Sequence, residues 1–356
     1  MAREVETLRR VDLTVDVTAA AGLGEPAHVA LTVHLPDPKA LPERPVICFA
    51  KPGGGYSRRY YTVDLPGPGR GAQADWHTAR GWVFVSVDHL GVGQSSLHAP
   101  ETLDYTTLAA AAQAAEQEVL RGLAAGTLAD GFPAVSDPLK LGIGQSMGGC
   151  MTIIQQGRYH GYDGIAVLGY SAIHTHPPVR PGAPAIVAPW LPRDTLLRQP
   201  LTVLNPQALA EAGARPPDAG GNAMAWGFHY DDVDPEIVAL DLAHFNRGIH
   251  DPQRQRGFEA PAWSSLTTPG AVAMSCLTPG IVAPEAAAIR APVLVAMGER
   301  DVVGDPRGEP RAYLSASSVD LYVCPHMGHM HNFAGTRELF WRRIETWAAW
   351  VAAASA

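Results

Sequence analysis

The sequence predicts an α/β protein: a mostly parallel central sheet with helices on both faces, and a cap inserted after the sixth strand. Three observations predict it. Strand-like and helix-like segments alternate over most of the 356 residues. The pentapeptide Gly144-Gln145-Ser146-Met147-Gly148 stands between a buried-strand pattern and the start of a helix. The rhythm breaks at about Ser171 and resumes after Arg290.

The elements follow in order. Val11 to Val17 and His28 to His34 alternate apolar and polar residues, as an antiparallel opening pair does. Pro45 to Ala50 reads as a short buried strand, ending at Lys51-Pro52-Gly53-Gly54-Gly55-Tyr56. Trp82 to Asp88 is another, leading into His89-Leu90-Gly91-Val92-Gly93-Gln94-Ser95-Ser96. Thr107 to Leu123 is alanine-rich and reads as a helix. Leu139 to Ile143 is the strand before the pentapeptide, and Gly149 to Gln156 continues the helix after it. Gly164 to Tyr170, Pro292 to Met297 and Val319 to Cys324 complete the strands. Glu338 to Ala353, with Trp341, Trp347 and Trp350, is a closing helix.

The intervening span holds about half of the 31 prolines in about a third of the chain. It shows no βαβ unit, and Pro206 to Ala212 and Pro235 to Arg247 look like short helices between loops. Its Trp, Phe, Tyr and Met content argues against a disordered linker. The expected division is a core of 1–172 and 291–356, with 173–290 as a cap that folds over the catalytic edge. There is no internal repeat.

Bulk properties narrow the function. A formal net charge of −8 argues against a nucleic-acid partner. No run approaches the ~20 apolar residues of a membrane span. The amino terminus lacks a basic start followed by an apolar run. Cys48, Cys150, Cys276 and Cys324 are scattered without a zinc-like spacing, which suits packed thiols in a cytoplasmic protein. A small molecule is the expected partner, with no cofactor or metal, and self-association as a homodimer is left open.

The chemistry centres on Ser146. Glycines two before and two after it remove Cβ atoms that a tight strand-to-helix turn would crowd. A serine hydroxyl is a weak nucleophile and needs a base, which itself needs an orienting acid. An acid and then histidines follow Ser146 along the chain, each just past the end of a strand. The strand Pro292 to Met297 ends in Gly298-Glu299-Arg300-Asp301, and Val319 to Cys324 ends in Pro325-His326-Met327-Gly328-His329-Met330-His331. Both fall at the carboxyl edge where ligands of open α/β sheets bind. Asp301 is the better acid, and Glu299 reads as a solvated loop charge. His329, after Gly328, is the preferred base. His331 is expected to face elsewhere, and His326 to pack or line the pocket. Three close histidines also raise a metal site, but that reading leaves the serine turn unexplained. For the developing oxyanion, Met147 at the helix start supplies one N–H, and Gly54, with Gly55 next, supplies the second. The glycine run lacks the Gly-Lys-Ser/Thr ending of a phosphate loop.

Together Gly53-Gly54-Gly55, Asp88-His89-Leu90-Gly91-Val92-Gly93-Gln94-Ser95, Gly144 to Gly149, Gly298 to Asp301 and Gly328-His329 resemble the α/β-hydrolase superfamily over about residues 40–172 and 290–350. The resemblance implies a Ser146–His329–Asp301 triad and a lid formed by the insertion. Where many members have His-Gly in the oxyanion loop, this chain has Pro52-Gly53. A serine nucleophile disfavours the dehalogenase and epoxide hydrolase branches, which use a carboxylate. Hydrolysis of an ester, thioester or lactone of a small, largely apolar substrate is the expected reaction. C–C hydrolysis, lyase or acyl-transfer chemistry, or ligand binding without turnover, are the alternatives. Tyr56, Trp226 and Phe228 are the expected pocket residues.

Overall fold

The computed structural model describes residues 9–182, 190, 193, 225–246 and 256–355. Among them, eight strands form one sheet in the order β1-β2-β4-β3-β5-β6-β7-β8. The strands are β1 (Arg9–Asp16), β2 (His28–Leu35), β3 (Val46–Lys51), β4 (Val83–Val87), β5 (Leu139–Gln145), β6 (Gly164–Leu168), β7 (Val293–Gly298) and β8 (Val319–Cys324). The opening pair is antiparallel, as its alternation predicts, and β2 is also antiparallel to β4. Every other pairing is parallel.

Burial explains the pattern of each strand. Every residue of β4, β6 and β7 is buried, so these read as continuous apolar runs covered on both faces. Edge strand β1 keeps one exposed face. One apolar layer joins a sheet face to the helices Tyr105–Ala125 and Met147–Tyr159. The other joins the opposite face to the closing helix Arg337–Ala354 through Phe340, Ile344 and Trp347. The helix expected at Thr107 to Leu123 begins at Tyr105. Asp104 caps it, accepting the Thr106 and Thr107 N–H groups at 2.8 and 2.9 Å. It ends at Gly126, whose φ of 66° suits glycine.

The chain leaves the sheet after β6 and returns at β7. Between them Pro235–Asn246 is helical, close to expectation, while the expected helix at Pro206 to Ala212 lies outside the described residues. Two further helices, Gly270–Leu277 and Ala283–Ala288, extend the helical layer beside Met147–Tyr159. Val272 and Ala286 are fully buried there. No described helix is long and apolar enough to cross a membrane.

One buried side chain in the second layer reports directly on pH. His77 stacks on Trp82 and Phe84, with ring centroids 4.3 and 5.7 Å away. Neither of its ring nitrogens has a hydrogen-bond partner among the described residues. Burial, with a smaller push from Arg80, lowers its pKa from 6.5 to about 3. Between those values the unfolded chain carries a proton that the folded chain refuses. The stability contribution is therefore full above pH 6.5 and is lost as pH falls toward 3. His77→Phe keeps the stacked ring and removes the titration. The expected outcome is a Tm that declines less steeply than wild type as pH is lowered from neutrality to pH ~4, measured by circular dichroism. Parallel Tm–pH curves would contradict this account.

Candidate active site

The turn between β5 and the helix Met147–Tyr159 is built by close backbone approach. A Cβ at Gly144 would lie 2.0 Å from the Gly148 carbonyl oxygen, and one at Gly148 would lie 2.0 Å from the Lys51 carbonyl oxygen. With both glycines in place, Ser146 takes φ 54° and ψ −117°, a conformation that non-glycine residues rarely adopt. Its N–H donates to the Leu168 carbonyl at 2.8 Å, which ties the turn to the end of β6. The side chain is left half-buried at the carboxyl edge of the sheet.

Asp301 and His329 meet at that edge. His329 Nδ1 lies 2.6 Å from Asp301 Oδ1, and the two side chains are 4% and 1% exposed. Asp301 Oδ1 also accepts the Val302 N–H, and Oδ2 accepts the Gly298 N–H. Burial alone would raise the Asp301 pKa. The electrostatic pull of the His329 ring, with hydrogen bonds from His329 and His331, outweighs it and holds the carboxyl well below the usual carboxylate range. An ionised Asp301 requires Nδ1–H on His329. Nε2 is then the basic nitrogen, and Gln145 Nε2 approaches it at 3.3 Å while donating to the His329 carbonyl at 3.0 Å. The Ser146 hydroxyl makes no hydrogen bond among the described residues.

The glycine loop after β3 lies across from the serine. A Cβ on Gly53 would lie 2.3 Å from Gln145 Oε1 and 3.2 Å from the Ser146 Cβ. The Gly55 N–H is spent on Thr268 Oγ1 at 3.0 Å, which removes Gly55 as a donor in this arrangement. Gly54 packs against Met147, with its Cβ position 3.7 Å from the Met147 sulfur. Met147 begins its helix, so its N–H has no intrahelical acceptor. His89 anchors the loop by donating from Nε2 to the Pro52 carbonyl at 2.9 Å. Burial pushes the His89 pKa down to about 4, so the donor is neutral.

The Asp-x-x-Gly-x-Gly segment has a structural explanation. The Asp88 carboxylate accepts the Arg58 backbone N–H and its Nη1 at 2.6 Å each, and the Gln94 N–H at 2.9 Å. Gly93 wraps around it at φ 61°, where any Cβ would lie 2.3 Å from Oδ2.

Other sequence expectations meet the structure unevenly. His331 does not face elsewhere: its Nε2 lies 2.8 Å from Asp301 Oδ2. His326 is exposed, stacked on Tyr230 at 5.3 Å, and so does not line the pocket. Its N–H is accepted by Glu299 at 2.8 Å. Phe228 lies beside His329, with ring centroids 5.0 Å apart, and packs edge-on against Phe245 at 5.8 Å. Trp226 instead faces the guanidinium groups of Arg300 and Arg180, at 4.7 and 5.8 Å. Tyr56 is buried, and its hydroxyl donates to Asp241 at 2.8 Å. Asp241 also accepts from Trp263 at 2.7 Å and pairs with His229 at 2.8 Å. Sequence reasoning missed this cluster. The available signal was an acid within the apolar run Ile237 to Ala243. Phe245, absent from the expected pocket, approaches Gly55 so closely that a Cβ there would meet its ring at 2.7 Å.

Solved structures share this architecture. A proline iminopeptidase from Mycobacterium smegmatis superposes with a TM-score of 0.57 at 16% identity, over 97% of this chain and 100% of its own. An esterase from Thermogutta terrifontis gives 0.55 at 14% identity, over 95% and 99%. A haloalkane dehalogenase from Bradyrhizobium elkani gives 0.54 at 13%, over 97% and 100%. The chain has the α/β-hydrolase fold. No family model matches the sequence, and no curated protein does.

Within this α/β-hydrolase fold, the close contact at Gly148 yields a direct test. Gly148→Ala would drive a methyl group into the Lys51 carbonyl. The expected loss is about 3 kcal/mol or more of stability, measured by denaturant unfolding. A variant within about 1 kcal/mol of wild type would show that the turn relaxes freely.

Proposed function

We propose that this protein is a serine hydrolase of carboxylic acid derivatives, working through an acyl-enzyme. Ser146 is the nucleophile, His329 the general base and Asp301 its orienting acid. The observation that supports this most strongly is the buried Asp301–His329 pair at 2.6 Å, on the same sheet edge as a serine held at φ 54°. In turnover the Ser146 hydroxyl takes the place beside His329 Nε2 that Gln145 now approaches. Such contacts commonly tighten only when substrate is bound. The N–H groups of Met147 and Gly54 stabilise the tetrahedral oxyanion.

The substrate is a small, largely apolar ester, thioester or lactone. The aromatic pair Phe228 and Phe245 beside His329 and Gly55 supports this reading, since an apolar wall excludes water and leaves orientation to a few polar groups. The described insertion is held to the site by backbone hydrogen bonds. His329 N–H donates to the Gly227 carbonyl and Met330 N–H to the Phe228 carbonyl, both at 2.8 Å. These bonds support its role as a lid. The serine at the nucleophile position argues against dehalogenation.

Ser146→Ala is expected to abolish labelling by a fluorophosphonate probe and to lower kcat by at least ~10³ on any accepted ester, with folding retained. His329→Ala should do nearly the same. A wild-type protein that neither labels nor turns over a panel of esters, thioesters and lactones would instead indicate a binding protein.

Phe228→Ala is expected to raise KM for acyl chains of several carbons by ~10-fold while changing acetate-ester turnover by less than ~3-fold. Equal effects on both substrates would remove Phe228 from the acyl pocket.

A further inference from the structure

His329 and His331 stand two residues apart in one loop, yet both rings converge on the same carboxylate. His329 Nδ1 takes Asp301 Oδ1 and His331 Nε2 takes Oδ2, at 2.6 and 2.8 Å. Their ring planes lie 76° apart with centroids at 6.3 Å. Asp301 is thus fully subscribed, with two backbone N–H groups and two imidazoles.

The rest of the His331 environment gives no other reason for a histidine. Its side chain is 2% exposed and packs on Phe340 at 4.4 Å. Its Nδ1 is buried with no partner among the described residues. An orphaned ring nitrogen has a desolvation cost that an apolar ring of similar size would avoid. The Nε2–H is the one group that histidine adds, and it goes to Asp301. Because that carboxylate is ionised, Nε2 is the protonated nitrogen. Burial lowers the His331 pKa despite the opposing pull of Asp301, so the ring is a neutral donor. Room for it is left at the end of β6. Gly169 has φ 57°, and a Cβ there would come 3.0 Å from His331 Cε1 and 3.1 Å from both Asp301 oxygens.

We propose that His331 is a positioning residue of this site: by donating to Oδ2 it fixes the Asp301 carboxylate and tempers its pull on His329. The proposal rests on the triad reading above. A donor on Oδ2 withdraws charge from the carboxylate that stabilises protonated His329. Loss of the donor makes Asp301 a stronger acceptor. The proton affinity of His329 then rises, and the acid limb of kcat/KM moves to higher pH, since the base must be neutral to act.

Other ionisable groups near Asp301 do not replace this contact. Tyr60, from the helix Arg59–Thr62, acts on it only through space. Arg337 of the closing helix is paired with Asp64 at 2.9 Å. Behind Asp301 lies a cavity of about 470 Å³, which His174, His176, Asp305, Glu309 and Arg311 also line. None of these hydrogen-bonds to Asp301 among the described residues.

The test compares His331→Phe with His331→Gln on the full-length protein. Gln can present an amide N–H where His331 Nε2 stands, and Phe cannot. The Phe variant is expected to lose ~10–100-fold in kcat with KM changed less than ~3-fold, and its acid limb should move up by roughly half a pH unit or more. The Gln variant should recover to within ~3-fold of wild type, with the limb restored. His331→Leu serves the same arm if the Phe variant does not fold. Fluorophosphonate labelling of wild type and of Ser146→Ala is run alongside. An unlabelled wild type overturns the triad and this proposal together. A labelled wild type, with donor-free and Gln variants alike or with an unmoved acid limb, overturns this proposal alone.

Discussion

Gly148 packs against the carbonyl of Lys51 so closely that no side chain fits between them. That contact locks the start of the helix Met147–Tyr159 to the end of β3, and the rest of the site depends on it. It forces the reversal that gives Ser146 its positive φ, and it brings the glycine loop after β3 beside Met147. Lys51 is held firmly enough to bear this. Its Nζ donates to Glu116 at 2.6 Å and Tyr162 at 2.7 Å in a fully buried cluster, and Tyr61 donates to its carbonyl at 2.8 Å. A buried ion pair is weak evidence for net stability, because desolvation offsets the attraction. Its effect here is geometric: it fixes one strand end, and through it one side of the site.

The insertion is joined to the core by polar contacts as well as apolar ones. Asp241 is fully buried and takes hydrogen bonds from Tyr56 and Trp263 while pairing with His229. Tyr56 belongs to the core loop and the other three residues to the insertion. Both oxygens of the Asp241 carboxylate are paired in this network, and that favours one arrangement, since a misplacement would leave a buried carboxylate oxygen without its donor. The same region bonds to the His329 loop through Gly227 and Phe228. His329 is therefore held from two sides, its ring by Asp301 and its backbone by the insertion. A lid that moved as a rigid body would have to break those bonds or carry the loop with it.

Much was legible in the sequence where local patterns suffice. The strand and helix order was legible because central strands are continuous apolar runs and the long helix is alanine-rich. Ser146, Asp301 and His329 were legible as candidates because tight turns need glycine and because two strand ends carry an acid and a histidine. The expectation that His331 faces elsewhere failed: residues two apart in an extended stretch share a face, and both rings reach the Asp301 carboxylate. Trp226 misled through composition, since an aromatic residue in the insertion can serve arginines as readily as a pocket.

The sequence by itself determined the sheet, the order of its elements and the turn at Ser146, because each follows from hydrophobic period and from glycine sterics over a few residues. Only the tertiary structure decided which groups meet. It showed that Thr268, more than 200 residues along the chain from Gly55, takes that glycine's N–H. It placed Phe245 against the same glycine and gave Asp301 a second imidazole. These pairings depend on how separate segments close on one another. No local propensity encodes the distance between two side chains brought together by the packing of a whole sheet.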